Sequence, residues 1–219
     1  ISVIIKIFFK DLKMILETVC VGPFQVNCYV LAPSINSQAI LIDPGYDAYT
    51  IKGVLNKHKL KLAFIINTHG HYDHIGCDDE FDVPVYIHRR DLALLKDPEF
   101  NLSNFLMSSY SVSSQVKSLE DKENIALGQI RLEVIHTPGH TPGGICLLMH
   151  EPTNKILFSG DTLFCQGIGI TDFPGADAKL LIKSIKDKLL KLADDTIIYP
   201  GHGPSSTIGE ERRANPFLS

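Results

Sequence analysis

Short apolar runs alternate with glycine- and proline-bearing turns along almost the whole chain, and this rhythm predicts strands before anything else. MILETVCVG (residues 14–22) and VNCYVLA (26–32) read as two strands joined by the hairpin-like GPFQ. AILIDPG (39–45) is a continuous apolar run stopping at Asp-Pro-Gly, the mark of a buried strand that ends in a turn. Asp47 is placed to cap a helix reaching about His58, after which LAFIINT is a second buried strand. VPVYIH follows as a strand, and Asp91 to Lys96 as a short helix. Residues 97–124 are polar and irregular, with SSYSVSSQ inside, and are expected to run over the surface.

The second half repeats this grammar, with strands at IALGQIRLEVIHT, ICLLMH and KILFSGD, then a loop, a helix and a last strand, TIIYPGHG. In the helix AKLLIKSIKDKLLKLA, Leu181, Ile182, Ile185, Leu189 and Leu192 form one apolar stripe, with Lys183, Lys186 and Lys191 off it. Such a stripe predicts a helix lying on a sheet. Two strand-rich halves with helices predict an α/β architecture of two sheets packed face to face, helices outside. No low-complexity linker divides them, so residues 14–219 are expected to form one domain. The opening ISVIIKIFF is too short to span a bilayer and lacks the marks of a secretory signal. Met14 stands just before the first strand, so residues 1–13 are expected to be an upstream extension of little functional weight.

Composition acts mainly by exclusion. The 219 residues carry a formal net charge of −4 without a basic block, which disfavours a nucleic-acid partner. Five cysteines, odd in number and without a C-x-x-C pair, suit a reducing cytosol and argue against a disulfide framework or a thiolate metal cage.

The chemistry gathers where strands end. LAFIINT delivers His69, His71, Asp73 and His74; LEVIHTPG delivers His140; KILFSG delivers Asp161; TIIYPG delivers His202. Glycine or proline neighbours each, as expected where backbone turns tightly beside a site. In an extended segment residues i and i+2 point the same way, so His69 and His71 can converge on one cation while Asp73 and His74 reach a second. Imidazole with carboxylate suits zinc, iron or manganese rather than calcium. Seven such residues are too many for one tetrahedral ion and suit two, with one carboxylate bridging. His58 is expected to be solvated among lysines, His88 and His150 to be surface or capping residues, and His136 to stay outside the ligand set.

At these residues the sequence resembles the metallo-β-lactamase superfamily, and within it short hydrolases related to hydroxyacylglutathione hydrolase (glyoxalase II). The resemblance rests on LIDPG, THGHYDHIG, TPGHTPGG, FSGDTLF, TDFPGAD and YPGHGPSSTIGEERRANPF, in that order, and covers nearly everything from Met14 onward. It implies an αββα sandwich with two divalent ions at one edge, zinc foremost, iron or manganese as alternatives. By motif, His69, His71 and His140 would hold the first ion; Asp73, His74 and His202 the second; Asp161 would bridge them. Asp43 of LIDPG would orient ligands or water from behind. The implied reaction is attack of a metal-bridging hydroxide on a small-molecule thioester such as S-lactoylglutathione, with Asp73 steering the hydroxide.

Two departures bear on substrate. The helical, glutathione-gripping domain of full-length glyoxalase II is expected to be missing. The position where short relatives offer a cation holds Ile170, in GIGITD; Arg212 or Arg213 is the candidate to supply charge instead, against the reading of both as solvated arginines. A mononuclear iron persulfide dioxygenase and a metal-stabilised non-catalytic module are the alternatives. The full ligand set disfavours both.

Overall fold

The computed structural model describes residues 14–150 and 155–218. The expected extension, residues 1–13, lies outside the described residues. Ile15–Val21 (β1), Val26–Ala32 (β2) and Gln38–Ile42 (β3) form an antiparallel meander. Lys61–Ile66 (β4), Val85–His88 (β5) and Val116–Leu119 (β6) extend it in parallel, in the spatial order β1-β2-β3-β4-β5-β6. Asn124–Leu127 (β7), Ile130–His136 (β8), Ile145–His150 (β9) and Lys155–Gly160 (β10) open a second sheet, each antiparallel to the next. A small hairpin, Leu163–Phe164 (β11) with Gly167–Ile168 (β12), follows. Ile197–Pro200 (β13) then pairs parallel to β10, and Ser206–Thr207 (β14) closes the edge.

Alternation along each strand divides its side chains between two faces. Ile40 and Ile42 of β3 join Tyr29 and Leu31 in the core between the sheets, facing Leu132, Val134, Leu147 and Phe158. Ala39 and Leu41 point the other way, onto Ile51 and Leu55 of Ala48–Lys57 (α1). A one-turn helix, Tyr72–Ile75 (α2), begins just beyond β4. On the far face of the second sheet, Cys146, Leu148 and Leu157 pack on Leu181 and Ile185 of Ala178–Lys188 (α3) and on Ile208 of Ile208–Ala214 (α4). The result is an αββα sandwich. Strands covered on both faces are why the sequence shows unbroken apolar runs, and each buried aliphatic side chain contributes about 1.5–3 kcal/mol.

Several local expectations are corrected. Asp47 precedes α1 but does not cap it; its Oδ2 accepts from Gly22 N–H at 3.0 Å instead. IALGQIRLEVIHT is two strands, because Gly128, at φ 59°, turns the chain into the β7–β8 hairpin. Residues 97–124 are not merely surface: Val112 is buried, and β6 completes the first sheet. The second-half helix ends at Lys188 and tightens into a 3₁₀ turn, Leu189–Lys191. His58 is not free in solvent but meets the buried Glu17 carboxylate at 2.5 Å. His88 fills the capping role of the two expected for it, not the surface one: buried, it accepts from Arg90 N–H at a 3₁₀ turn and stacks on His136, centroids 4.0 Å apart.

Candidate metal centre

Four segments converge at one rim between the sheets. β4 runs out through Thr68 into His69 and His71, and α2 then turns Asp73 and His74 back toward them. β8 leads to His140, β10 to Asp161 and β13 to His202. The sheets are pinned together here: Asn27 N–H donates to Gly201 O at 2.8 Å, and the Asn27 side-chain amide donates to Pro200 O and Gly203 O. Gly160, at φ 48°, lets β10 press against Thr68; a Cβ there would lie 2.4 Å from Thr68 Oγ1. Gly201 is equally constrained, since its Cβ would fall 2.2 Å from Asp161 Oδ1 and 2.8 Å from His74 Cε1. Only glycine at these two positions lets the strand ends close on each other.

The donor atoms face inward at short range. His71 Nδ1 lies 2.9 Å from His140 Nε2, which is 3.2 Å from His69 Nε2. His74 Nε2 lies 3.3 Å from His202 Nε2. Asp161 stands between the two groups, with Oδ1 3.4 Å from His74 Nε2 and Oδ2 3.6 Å from His140 Nε2 and 3.5 Å from His202 Nε2. Asp73 Oδ2 is 3.4 Å from His202 Nε2. Three sets of candidate ligands emerge: His69, His71 and His140; His69, His74 and Asp161; Asp73, His74 and His202.

Partners behind the rings fix the tautomers. His74 donates Nδ1–H to Asp43 Oδ2 at 2.9 Å, His140 to Ile170 O at 2.6 Å, and His202 to Phe24 O at 3.0 Å. Thr68 Oγ1 donates to Asp43 Oδ2 at 2.7 Å, leaving its lone pairs for His69 Nδ1–H at 3.2 Å. The Nε2 atoms of His69 and His140, and those of His74 and His202, thus face one another, and the buried Asp161 Oδ1 has no hydrogen-bond partner. Such a cluster needs positive charge at its centre. Burial disfavours protonated His74, yet Asp161, Asp73 and Asp43 around it push its pKa up to about 10. Burial and then the neighbouring rings hold His69 and His71 well below the usual histidine value. Burial opposes the charge of Asp73, but His74 and His202 hold its carboxyl below the usual range. The donor set fits borderline divalent cations.

Other sequence-derived candidates lie as follows. Asp43, buried at φ 52°, backs His74 and also accepts from Thr68 N–H at 2.7 Å. Ile170 lines the cavity above the centre with its side chain half exposed. Arg212 does not reach that cavity: its guanidinium donates to Leu190 O and Leu192 O and pairs with Asp194, because α4 packs beside the 3₁₀ turn. A residue without a motif to announce it is Asp91. Fully buried, it accepts from Gly70 N–H (3.1 Å), between His69 and His71, and from Thr141 Oγ1 (2.7 Å) and Gly143 N–H (2.5 Å), just past His140. It ties the two histidine loops together, and burial raises its pKa to about 6 against those three hydrogen bonds.

A family model described as the metallo-beta-lactamase superfamily matches residues 21–202. The chain is 37% identical to the hydroxyacylglutathione hydrolase GloC of Haemophilus influenzae, over 94% of this chain and 99% of the relative. Among solved structures it resembles the B3 metallo-beta-lactamase BLEG-1, with a TM-score of 0.85, 37% identity, and 94% and 100% of the two chains covered. It also resembles TTHA1623 in a di-iron-bound form, with a TM-score of 0.77, 34% identity, and 92% and 99% covered.

Proposed function

The chain belongs to the metallo-β-lactamase superfamily, a family of metallo-hydrolases, and on that premise we propose that it hydrolyses thioester bonds at a two-metal centre. The observation that carries this reading is the convergence of imidazole nitrogens and carboxylate oxygens in three overlapping sets, more than one ion takes, with the Asp161 Oδ1 among them lacking a hydrogen-bond partner. His69, His71 and His140 would hold one cation, Asp73, His74 and His202 the other, and Asp161 both. Divalent ions bound there, zinc foremost with iron or manganese as alternatives, supply Lewis acidity and lower the pKa of water to about 7.

The chain's own residues do the positioning. Asp43 and the Ile170 and Phe24 carbonyls lock ring orientation, so the donor atoms are set before substrate arrives. Asp73, ionised and at the cavity floor, accepts a hydrogen bond from the attacking water and orients it. The water gives up a proton as its oxygen joins the acyl carbon, the carbon–sulfur bond breaks with its electron pair going to sulfur, and the thiolate, a good leaving group that needs no dedicated acid, takes a proton from solvent. The relative that is a hydroxyacylglutathione hydrolase supports thioester over lactam as the bond cleaved. A one-iron dioxygenase would leave Asp73, His74 and His202 without a task. The partner is a small molecule rather than nucleic acid or membrane, and five free cysteines accord with a reducing cytosol. Among the described residues no helix is long and apolar enough to cross a membrane.

The test is a panel of thioesters, S-lactoylglutathione included, on protein of measured metal content. Cleavage should occur and fall at least about 100-fold, or 2.7 kcal/mol, in His71→Ala. A fully loaded protein that leaves every thioester intact, or that carries one iron and consumes oxygen with a persulfide, contradicts the proposal.

A further inference from the structure

The cavity above the metal centre has a volume of about 740 Å³, within the range that holds a small organic ligand. Its floor is polar, made of the inward-facing ligand residues. Its walls are not. Phe24 enters from the β1–β2 turn, Leu102 and Phe105 from the segment before β6, Phe164 from β11, and Ile170 and Phe173 from the stretch after β12. Three of these present large apolar surface to solvent in the structure as it stands: Phe24 is 47% exposed, Ile170 56% and Phe105 73%. Exposed aromatic surface clustered around a concave site marks a place where an apolar group docks.

The charge of the lining is equally one-sided. Among the described residues that line the cavity there is no lysine or arginine, and the wall adds a carboxylate, Asp172, to those of the floor. Arg212 is held by backbone carbonyls and Asp194, away from it. A glutathione leaving group brings two carboxylates and one ammonium. Placing it here would strip water from anionic groups beside Asp172 with no lysine or arginine to receive them, and like charges at close range cost affinity.

Resting on the thioesterase reading above, we propose that the preferred substrates are thioesters with an apolar acyl group and a thiol lacking anionic groups, seated between Phe105, Phe173 and Ile170. Glutathione and other anionic thiols are discriminated against by walls without lysine or arginine and by Asp172. Hydrolysis yields the apolar carboxylic acid and the neutral thiol.

The test uses binding as well as turnover, so that the two readings fail separately. Affinities of the metal-loaded protein are measured by calorimetry for two stable thioethers sharing one chain, S-hexyl-N-acetylcysteamine and S-hexylglutathione. Rates are measured for the hexanoyl thioesters of the same two thiols. The neutral thioether should bind at least about tenfold more tightly, and its thioester should show the higher kcat/KM. Ile170→Arg should narrow the gap by strengthening S-hexylglutathione, and Phe105→Ser, at an exposed position, should weaken the neutral thioether. Equal or tighter binding of S-hexylglutathione, or failure of the neutral thioether to bind, overturns the inference while leaving thioester hydrolysis to stand on its own rates. Preferential binding of the neutral thioether with no thioester cleaved supports the pocket chemistry and overturns the thioesterase reading instead.

Discussion

His74 Nε2 stands 3.3 Å from His202 Nε2, while the Nδ1 protons of the two rings are committed to the Asp43 carboxylate and the Phe24 carbonyl. The pair can rest at that distance only with positive charge beside it, a proton in the free protein or a metal ion in the loaded one. The carboxylates that raise His74 to about 10 are the same groups that would neutralise a cation. The site is therefore built around charge it must import.

Asp43 should matter to metal retention without touching metal. Asp43→Asn keeps an acceptor for His74 but sets an amide N–H against Thr68 N–H or its hydroxyl, which both donate to Asp43 now. Metal affinity should fall about 10–100-fold, measured by competition with a chromophoric chelator. Unchanged affinity would remove Asp43 from the account.

Gly201→Ala probes the closeness of the strand ends. The added methyl would lie against Asp161 Oδ1 and His74 Cε1, so it should spread the His74–Asp161–His202 side of the cage. One metal equivalent should be lost while the circular dichroism spectrum is kept. Retention of full metal content would show that these strand ends yield easily.

Asp91→Ala removes a buried acceptor shared by three donors, two backbone N–H groups and the Thr141 hydroxyl. Leaving such groups unpaired should destabilise the chain by about 3 kcal/mol, read from urea denaturation of metal-free protein. A loss below about 1 kcal/mol would mean that water replaces the carboxylate at no cost.

These residues also show what a sequence can and cannot announce. The strand ends whose side chains converge were legible because histidine and aspartate beside glycine, in HGHYDH and its later counterparts, have few other uses. The sandwich was legible because strands covered on both faces are almost continuously apolar, as β2 is but for Asn27 and β3 is after Gln38. Asp91 was not, since a carboxylate whose partners are backbone N–H groups 21 and 52 residues away leaves no pattern. The Phe24 and Ile170 carbonyls that orient His202 and His140 are invisible for the same reason: every residue has one. β6 hid in a polar stretch because an edge strand, here with two exposed positions of four, carries only a weak alternation.

His88 supplies a pH dependence independent of the ligands. Burial, then the stacked His136 and nearby Arg90 and Arg89, lower its pKa to about 4, with Asp121 opposing them. A histidine whose folded pKa lies below its unfolded value of about 6.5 favours the unfolded chain once protons become available. Stability should hold above pH 6.5 and decline as pH falls toward 4. His88→Gln should flatten part of that decline in thermal melts; parallel profiles would contradict the assignment.

The central claim is a cage for two cations, and metal content measures it directly. Protein reconstituted with zinc, freed of loosely bound ions and analysed by plasma mass spectrometry should hold two equivalents per chain, falling to about one in Asp73→Ala/His202→Ala. A wild-type value of one or none, or a value unmoved by the double substitution, would contradict the account.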